Sequence, residues 1–384
     1  MIHRHYSKLE EHMMKNKVLV IYGPRQVGKT TLIQNYLKGT CKKYKSETGD
    51  NILVREIFES ENLNTILDFV QGVDLLFIDE AQKIPKIGLA LKMLVDHLPD
   101  LEIIVTGSAS FELAGQIGEP LTGRKQTLRL FPLSILELQK EYSRFELSNK
   151  ELENILIYGS YPESITATNS KLKAEVITEI TESYLLKDIL ELEKVKSSKI
   201  LLDLLRLLAF QIGNEVSLTE LATQIGIDYK TVARYLDIFE KAFVIYNLRG
   251  YSKNLRKEVT KKSKYYFYDN GIRNALIANF NPLNLRNDQG QLWENFLFME
   301  RVKRNSYLKQ HCNYYFWRTW DQKEIDLLEE REGRLFAYEF KWSNKAKQSK
   351  KYKVPKDFIE NYPESEFQVI NQSNFFDFVI GVNN

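Results

Sequence analysis

Short apolar runs alternating with stretches of helical period dominate the first third of the chain. Val18-Leu-Val-Ile-Tyr22 is an uninterrupted apolar run and predicts a buried strand. Residues 31–38 then carry helical spacing. The same succession recurs: Val73-Asp-Leu-Leu-Phe-Ile-Asp79-Glu80 predicts a strand, residues 89–97 a helix and Leu101-Glu-Ile-Ile-Val-Thr106 a further strand. Strands alternating with helices argue for an α/β domain with a parallel sheet.

From residue 133 to 194 the pattern changes. Residues 135–142, 150–158 and 172–192 show apolar positions three and four apart, and Gly159-Ser-Tyr-Pro162 breaks the last two apart. Residues 217–225 and 229–242 then predict two helices joined at Gly226-Ile-Asp228, with Asp228 as N-cap and Val232, Tyr235, Leu236 and Phe239 on one face. The pattern changes again near the C-terminus. Residues 291–300 predict a helix and Tyr314-Tyr-Phe-Trp317 a strand, followed by strands at 324–329 and 335–342 about a turn at 331–333.

Composition narrows the class. A chain of 384 residues with 43% hydrophobic content is expected to fold as a soluble protein of more than one domain. We expect boundaries at 1–132, 133–195, 196–284 and 285–384. No apolar stretch is long enough to span a bilayer, so no membrane partner is expected. The two cysteines, Cys41 and Cys312, match no metal spacing, which with the absence of a signal-peptide core suggests a cytoplasmic setting. The net charge of +3 says little about partners.

Chemistry enters at Gly23-Pro24-Arg25-Gln26-Val27-Gly28-Lys29-Thr30-Thr31, which fills the fixed positions of a P-loop between a strand and a helix. Its glycines let backbone N–H groups face a phosphate chain, and the helix N-terminus adds its positive dipole end. Lys29 would reach the β and γ phosphates of ATP, and the Thr30 hydroxyl would ligate Mg²⁺. The acids ending the second strand complete the pattern: Asp79 would hold Mg²⁺, and Glu80 would polarise the attacking water. Thr106 and Ser108 are candidates to sense the γ-phosphate, although Ser108 equally suits a turn capping the next helix. Arg124 is a candidate charge sensor or finger, or else a solvated loop arginine.

These motifs, with Phe77-Ile-Asp-Glu-Ala-Gln-Lys-Ile-Pro85, Val105-Thr-Gly-Ser-Ala-Ser110, Leu121-Thr-Gly-Arg124, Phe131-Pro-Leu-Ser134 and Tyr158-Gly-Ser-Tyr-Pro-Glu163, resemble one large prokaryotic group of AAA-type ATPases. The group carries a conserved C-terminal domain of unknown function. The resemblance spans nearly the whole chain and keeps motif order. It implies an AAA-like α/β core, a helical region that resembles a lid over the nucleotide site or is a plain helical linker, a winged helix and a nuclease-like C-terminal domain. It assigns nucleotide roles to Lys29, Thr30, Asp79, Glu80, Ser108 and Arg124. Lys92 and Asp96 also match, without a chemistry to assign.

Two further constellations extend the reading. Lys230, Thr231 and Arg234 fall on the polar side of the second helix of the pair, where a recognition helix meets a groove. Between Arg249 and Lys264 stand seven basic residues and one acid, Glu258. Such a run suits DNA phosphates, or a solvated hairpin, or packing against another domain. Near the C-terminus, alternation puts Glu339 and Lys341 on one strand face, with Asp326 on the neighbouring hairpin strand. One Asp followed by Glu-x-Lys is the constellation of PD-(D/E)XK nucleases. Asp326 and Glu339 would hold Mg²⁺, Lys341 would orient water, and Glu294 on the preceding helix would be a further ligand. A fold that keeps these carboxylates but cleaves nothing is the rival.

The expectation is therefore an ATP-hydrolysing, DNA-associated switch or remodeller, with nuclease activity open. A signalling ATPase whose C-terminal modules bind protein is the alternative. The oligomeric state is open, so Arg124 is expected to act either on its own nucleotide or on a neighbour's.

Overall fold

A computed structural model describes residues 2–107, 120–192, 198–251, 263–319, 321–342 and 354–381. The chain forms two compact units. One comprises His3–Pro132 with Lys241–Phe243, and the other comprises most of the remainder.

The first unit is built on a five-stranded parallel sheet. Its elements are β1 (Val18–Tyr22), α1 (Lys29–Gly39), β2 (Tyr44–Thr48), α2 (Ile52–Glu59), α3 (Leu63–Phe69), β3 (Leu75–Asp79), α4 (Ile87–His97), β4 (Glu102–Gly107) and β5 (Lys125–Arg129). The strand order is β2-β3-β4-β1-β5, and every pairing is parallel. The apolar runs are explained by position: β1, β3 and β4 are interior and buried, whereas the edge strand β2 reads Tyr-Lys-Ser-Glu-Thr and is largely solvated. Val20, Ile78, Leu91 and Val105 lie in one core with Phe58 and Ile66 from the helices. The order places β4 between β1 and β3, so the C-terminal tips of all three strands lie side by side.

The second unit begins with helices. The apolar spacing over residues 135–142 predicts one helix, but the structure ends it at Leu138 and starts another at Arg144–Leu147. Two capping boxes cut the pattern. Ser134 with Glu137, and Ser143 with Glu146, each exchange side-chain and backbone hydrogen bonds at a new N-terminus. Helices Lys150–Tyr158 and Ser170–Leu192 form where expected, with Pro162 in the first turn of a short helix between them.

Helix Ser198–Phe210 then precedes the short strand β6 (Glu215–Val216), helices Leu218–Ile225 and Tyr229–Lys241, and the hairpin strands β7 (Ile245–Gly250) and β8 (Ser263–Phe267). Ser217 caps the first helix of the pair, and Asp228 Oδ1 accepts from Thr231 N–H at 2.9 Å at the start of the second. After helices Asn270–Leu276 and Gln289–Tyr307 come β9 (Asn313–Arg318), β10 (Glu324–Arg331), β11 (Arg334–Phe340), helix Lys356–Asn361, β12 (Glu366–Ile370) and helix Phe375–Ile380. β9, β10 and β11 are antiparallel, and β12 joins β11 in parallel.

One seven-stranded sheet, in the order β12-β11-β10-β9-β7-β8-β6, runs through this unit. β7 meets β9 in parallel at Arg249↔Tyr315 and Gly250↔Phe316, so the sheet carries strands from both sides of residue 284.

Candidate functional site

The P-loop fills the gap between β1 and α1. Gly23 must be glycine, because a Cβ there would lie 1.9 Å from the Leu130 carbonyl oxygen. Gly28, at φ +92°, turns the chain into α1. Lys29 is buried, and its Nζ donates to the Gly23 and Pro24 carbonyls at 2.9 and 2.7 Å, so it lies folded into the loop it would leave for phosphate. Arg4 braces the same loop from outside, donating to the Val27 carbonyl at 2.9 Å and to the Phe131 carbonyl at 2.7 Å. Nothing in the local sequence marks Arg4 for this task.

The expected ligands of Mg²⁺ are together. Thr30 Oγ1 donates to Asp79 Oδ2 at 2.8 Å. Thr106, fully buried at the tip of β4, donates to Asp79 Oδ1 and accepts from the Glu80 backbone N–H at 3.0 Å. A hydroxyl and a carboxylate converging at the base of a P-loop are hard oxygen donors and fit the ion. Glu80 stands at φ +49°, outside the strand's extended geometry, and its Oε2 accepts from Gln82 Nε2 at 2.7 Å. Gly49 leaves the room this bend requires, since a Cβ there would meet the Glu80 carbonyl oxygen at 2.3 Å. Gln82 stands inside the Phe77–Pro85 motif without a role of its own and Gly49 stands in no motif, because both act through Glu80.

Arg124 lies on a loop and donates from Nε to Asp96 Oδ1 at 2.7 Å. That gives Asp96, on α4, a partner. Ser108 lies outside the described residues.

In the second unit, Lys230 and Arg234 lie on the exposed side of helix Tyr229–Lys241, while Val232, Tyr235, Leu236 and Phe239 are buried. Most of the basic run at 249–264, including Lys253, Arg256 and Lys257, lies outside the described residues. Lys264 departs from the expectation for that run. Its side chain is 1% exposed, so it is not a surface cation available to phosphate. Its place on β8, on the same face as Tyr266, turns it inward.

The C-terminal strands bring Asp326, Glu339 and Lys341 together as alternation and the hairpin require. Glu339 Oε1 is 2.5 Å from Lys341 Nζ, and Asp326 Oδ2 accepts from the Phe340 N–H at 2.7 Å. Glu294, from helix Gln289–Tyr307, joins them by way of Lys264, 3.2 Å away, and of Tyr266, whose hydroxyl donates to it at 2.5 Å. Glu324 pairs with Lys264 from the start of β10. Burial pushes the Asp326 and Glu339 carboxyls up; neighbouring carboxylates, Glu294 among them, add to the push, and Lys341 opposes it in both. Among the described residues no three acidic, histidine or cysteine side chains are placed to share a metal ion.

A parallel sheet with a P-loop after β1, paired acids at the tip of β3 and, between them, the buried strand β4 with Thr106 at its tip is the arrangement of a P-loop nucleotide site. Family comparison agrees: residues 15–139 match the family described as AAA domain. Residues 149–286 and 289–379 match two families described as domains of unknown function, DUF8612 and DUF4143. Relatives match most of this chain at low identity. An uncharacterized protein of Mycobacterium tuberculosis is 27% identical over 339 residues, covering 87% of this chain and 72% of its own. One from Methanocaldococcus jannaschii is 26% identical over 368 residues, with 90% and 80% covered. One from Haemophilus influenzae is 28% identical over 316 residues, with 75% and 74% covered.

Among solved structures, domain III of the replication initiation protein DnaA from Thermotoga maritima overlaps 46% of this chain and 80% of its own, at 18% identity and a TM-score of 0.28. A Signal Transduction ATPase with Numerous Domains from Pyrococcus horikoshii overlaps 79% and 46%, at 13% identity and a TM-score of 0.29. Among the described residues no helix is long and apolar enough to cross a membrane.

Proposed function

We propose that this chain is an ATP-hydrolysing switch of the AAA type that acts on double-stranded DNA. The observation that carries the hydrolytic part is the convergence of Thr30, Asp79, Thr106 and Glu80 beside a folded-in Lys29. Lys29 would exchange two carbonyl partners for phosphate oxygens. Thr30 and Asp79 would hold Mg²⁺, which offsets charge developing on the transferred phosphoryl group. Glu80 would take a proton from the water whose oxygen attacks the γ-phosphorus, as the bridging bond to the β-phosphate breaks. Thr106 fixes the Asp79 carboxylate, and Gln82 restrains Glu80 until it is needed.

Support for DNA as the target lies in the second unit. A helix, a short strand, two helices joined by a tight turn and an antiparallel hairpin follow in the order of a winged helix. The second helix of the pair presents Lys230 and Arg234, and the hairpin connection carries most of the basic run.

The test is steady-state ATP turnover with and without double-stranded DNA, at two salt concentrations. Stimulation that weakens at high salt is expected, because phosphate contacts are salt-dependent. Lys29→Ala should abolish nucleotide binding. Glu80→Gln should keep binding and stop hydrolysis, and full turnover in that variant would refute the assigned base. Turnover indifferent to DNA would overturn the DNA part and point instead to a signalling ATPase whose C-terminal modules bind protein.

A further inference from the structure

The acidic centre of the C-terminal strands is supplied with cations by the chain itself. Lys264 enters it from β8, ahead in sequence of Glu294, Asp326, Glu339 and Lys341. Its ammonium is 3.2 Å from Glu294 Oε1 and in closer contact with Glu324 Oε1, while the side chain is 1% exposed. Glu294 Oε1 also accepts from the Tyr266 hydroxyl. Lys341 holds Glu339 at 2.5 Å, and the Phe340 N–H holds Asp326 at 2.7 Å. Each of these carboxylates thus has a donor from the protein.

A divalent ion asks for something different. It needs several oxygens turned to one point with their lone pairs open. The described residues offer no such group of three. A buried ammonium already shares the oxygens of Glu294 and Glu324. A second cation at the same oxygens would stand a few ångströms from it, where low dielectric makes like-charge repulsion severe. The donor set therefore does not fit the Mg²⁺ that DNA cleavage by Asp326, Glu339 and Lys341 would require.

We propose that Lys264 is the resident cation of this centre, so that the C-terminal domain is a metal-independent module that cuts no nucleic acid. Its carboxylates act as a joint, tying β8 to helix Gln289–Tyr307 and to β10. The inference does not rest on the ATPase reading, and its test reads no ATP turnover.

The test is titration of the nucleotide-free full-length chain with Mn²⁺, followed by water-proton relaxation. Wild type is expected to show no Mn²⁺ binding that Asp326→Asn or Glu339→Gln removes. Any binding that survives both changes lies elsewhere, with Thr30 and Asp79 the candidates, and leaves the inference standing. Lys264→Gln is expected to lower the melting temperature and to gain one Mn²⁺ site, with the lost stability restored by the metal. Adding Glu294→Gln should abolish that new site. Should Lys264→Gln fail to fold, the wild-type titration decides alone. One Mn²⁺ bound per wild-type chain and lost in Asp326→Asn would overturn the inference, as would Mn²⁺-dependent DNA nicking lost in the same variant.

Discussion

Gly159 shows how a short motif can be structural rather than chemical. It stands at φ +74°, and a Cβ there would lie 1.8 Å from Asp269 Oδ1. Asp269 is buried. Its Oδ2 accepts from the Ser160 N–H at 2.7 Å, and its Oδ1 from the Gly271 N–H at 2.8 Å. Burial pushes this carboxyl up, against the pull of Lys303 and of those N–H donors. The Tyr158–Glu163 motif therefore closes a joint between segments more than a hundred residues apart. Gly159→Ala combines a disfavoured backbone with a displaced buried carboxylate, and we expect it to cost about 3 kcal/mol. Denaturant unfolding checks this; a loss below about 1 kcal/mol would mean that Asp269 swings aside freely. The strand, loop and helix of the P-loop were legible because they adjoin in sequence. The parts played by Arg4, Gln82, Gly49 and Lys264 were not. Each acts on a distant partner or through a neighbour, and no spacing announces that.

At the scale of elements, periodicity located helices and strands that bury one face, and its largest overrun fell where caps intervene. Residues 135–142 keep an apolar stripe, yet Ser134 and Ser143 each open a separate helix. The Ser-x-x-Glu spacing at both points was the available signal. Helix Tyr229–Lys241 was read to within a residue, because its buried face repeats without interruption. Its outer face carries a prediction of its own. Lys230→Glu with Arg234→Glu removes two cations and adds two anions, and lifts the Arg234 guanidinium from over the Tyr235 ring. If this helix meets DNA, the double variant should bind at least tenfold more weakly in a fluorescence-anisotropy titration, with a shallower salt dependence. Equal affinity would remove the helix from the interface.

For the molecule as a whole, stability should depend on acid through Asp288. This residue lies just before helix Gln289–Tyr307, where Arg286 donates to Oδ1 and Oδ2, each at 2.8 Å, and Arg273 donates to Oδ2. Burial raises its carboxyl, but the two guanidiniums outweigh that and bring it down to about 2. A carboxyl depressed by folding contributes stability that is present above its unfolded value, about 3.9, and is lost as pH falls toward 2. Discounted for the solvent that reaches it, the contribution is on the order of 1–2 kcal/mol. Asp288→Asn should therefore be less stable than wild type at pH 6, and the two should converge near pH 2 in denaturation series. A constant difference across that range would assign the loss to packing instead.

The strand pairing between β7 and β9 has a consequence for descent. The two domains of unknown function meet between residues 286 and 289, yet hydrogen bonds at Arg249↔Tyr315 and Gly250↔Phe316 cross that division, and Tyr251 packs on Tyr315 and Tyr362. A gene rearrangement that parted them would leave each half with a raw sheet edge, ready to pair with any other strand it met. Lineages should therefore hand on the two C-terminal modules as a single heritable piece.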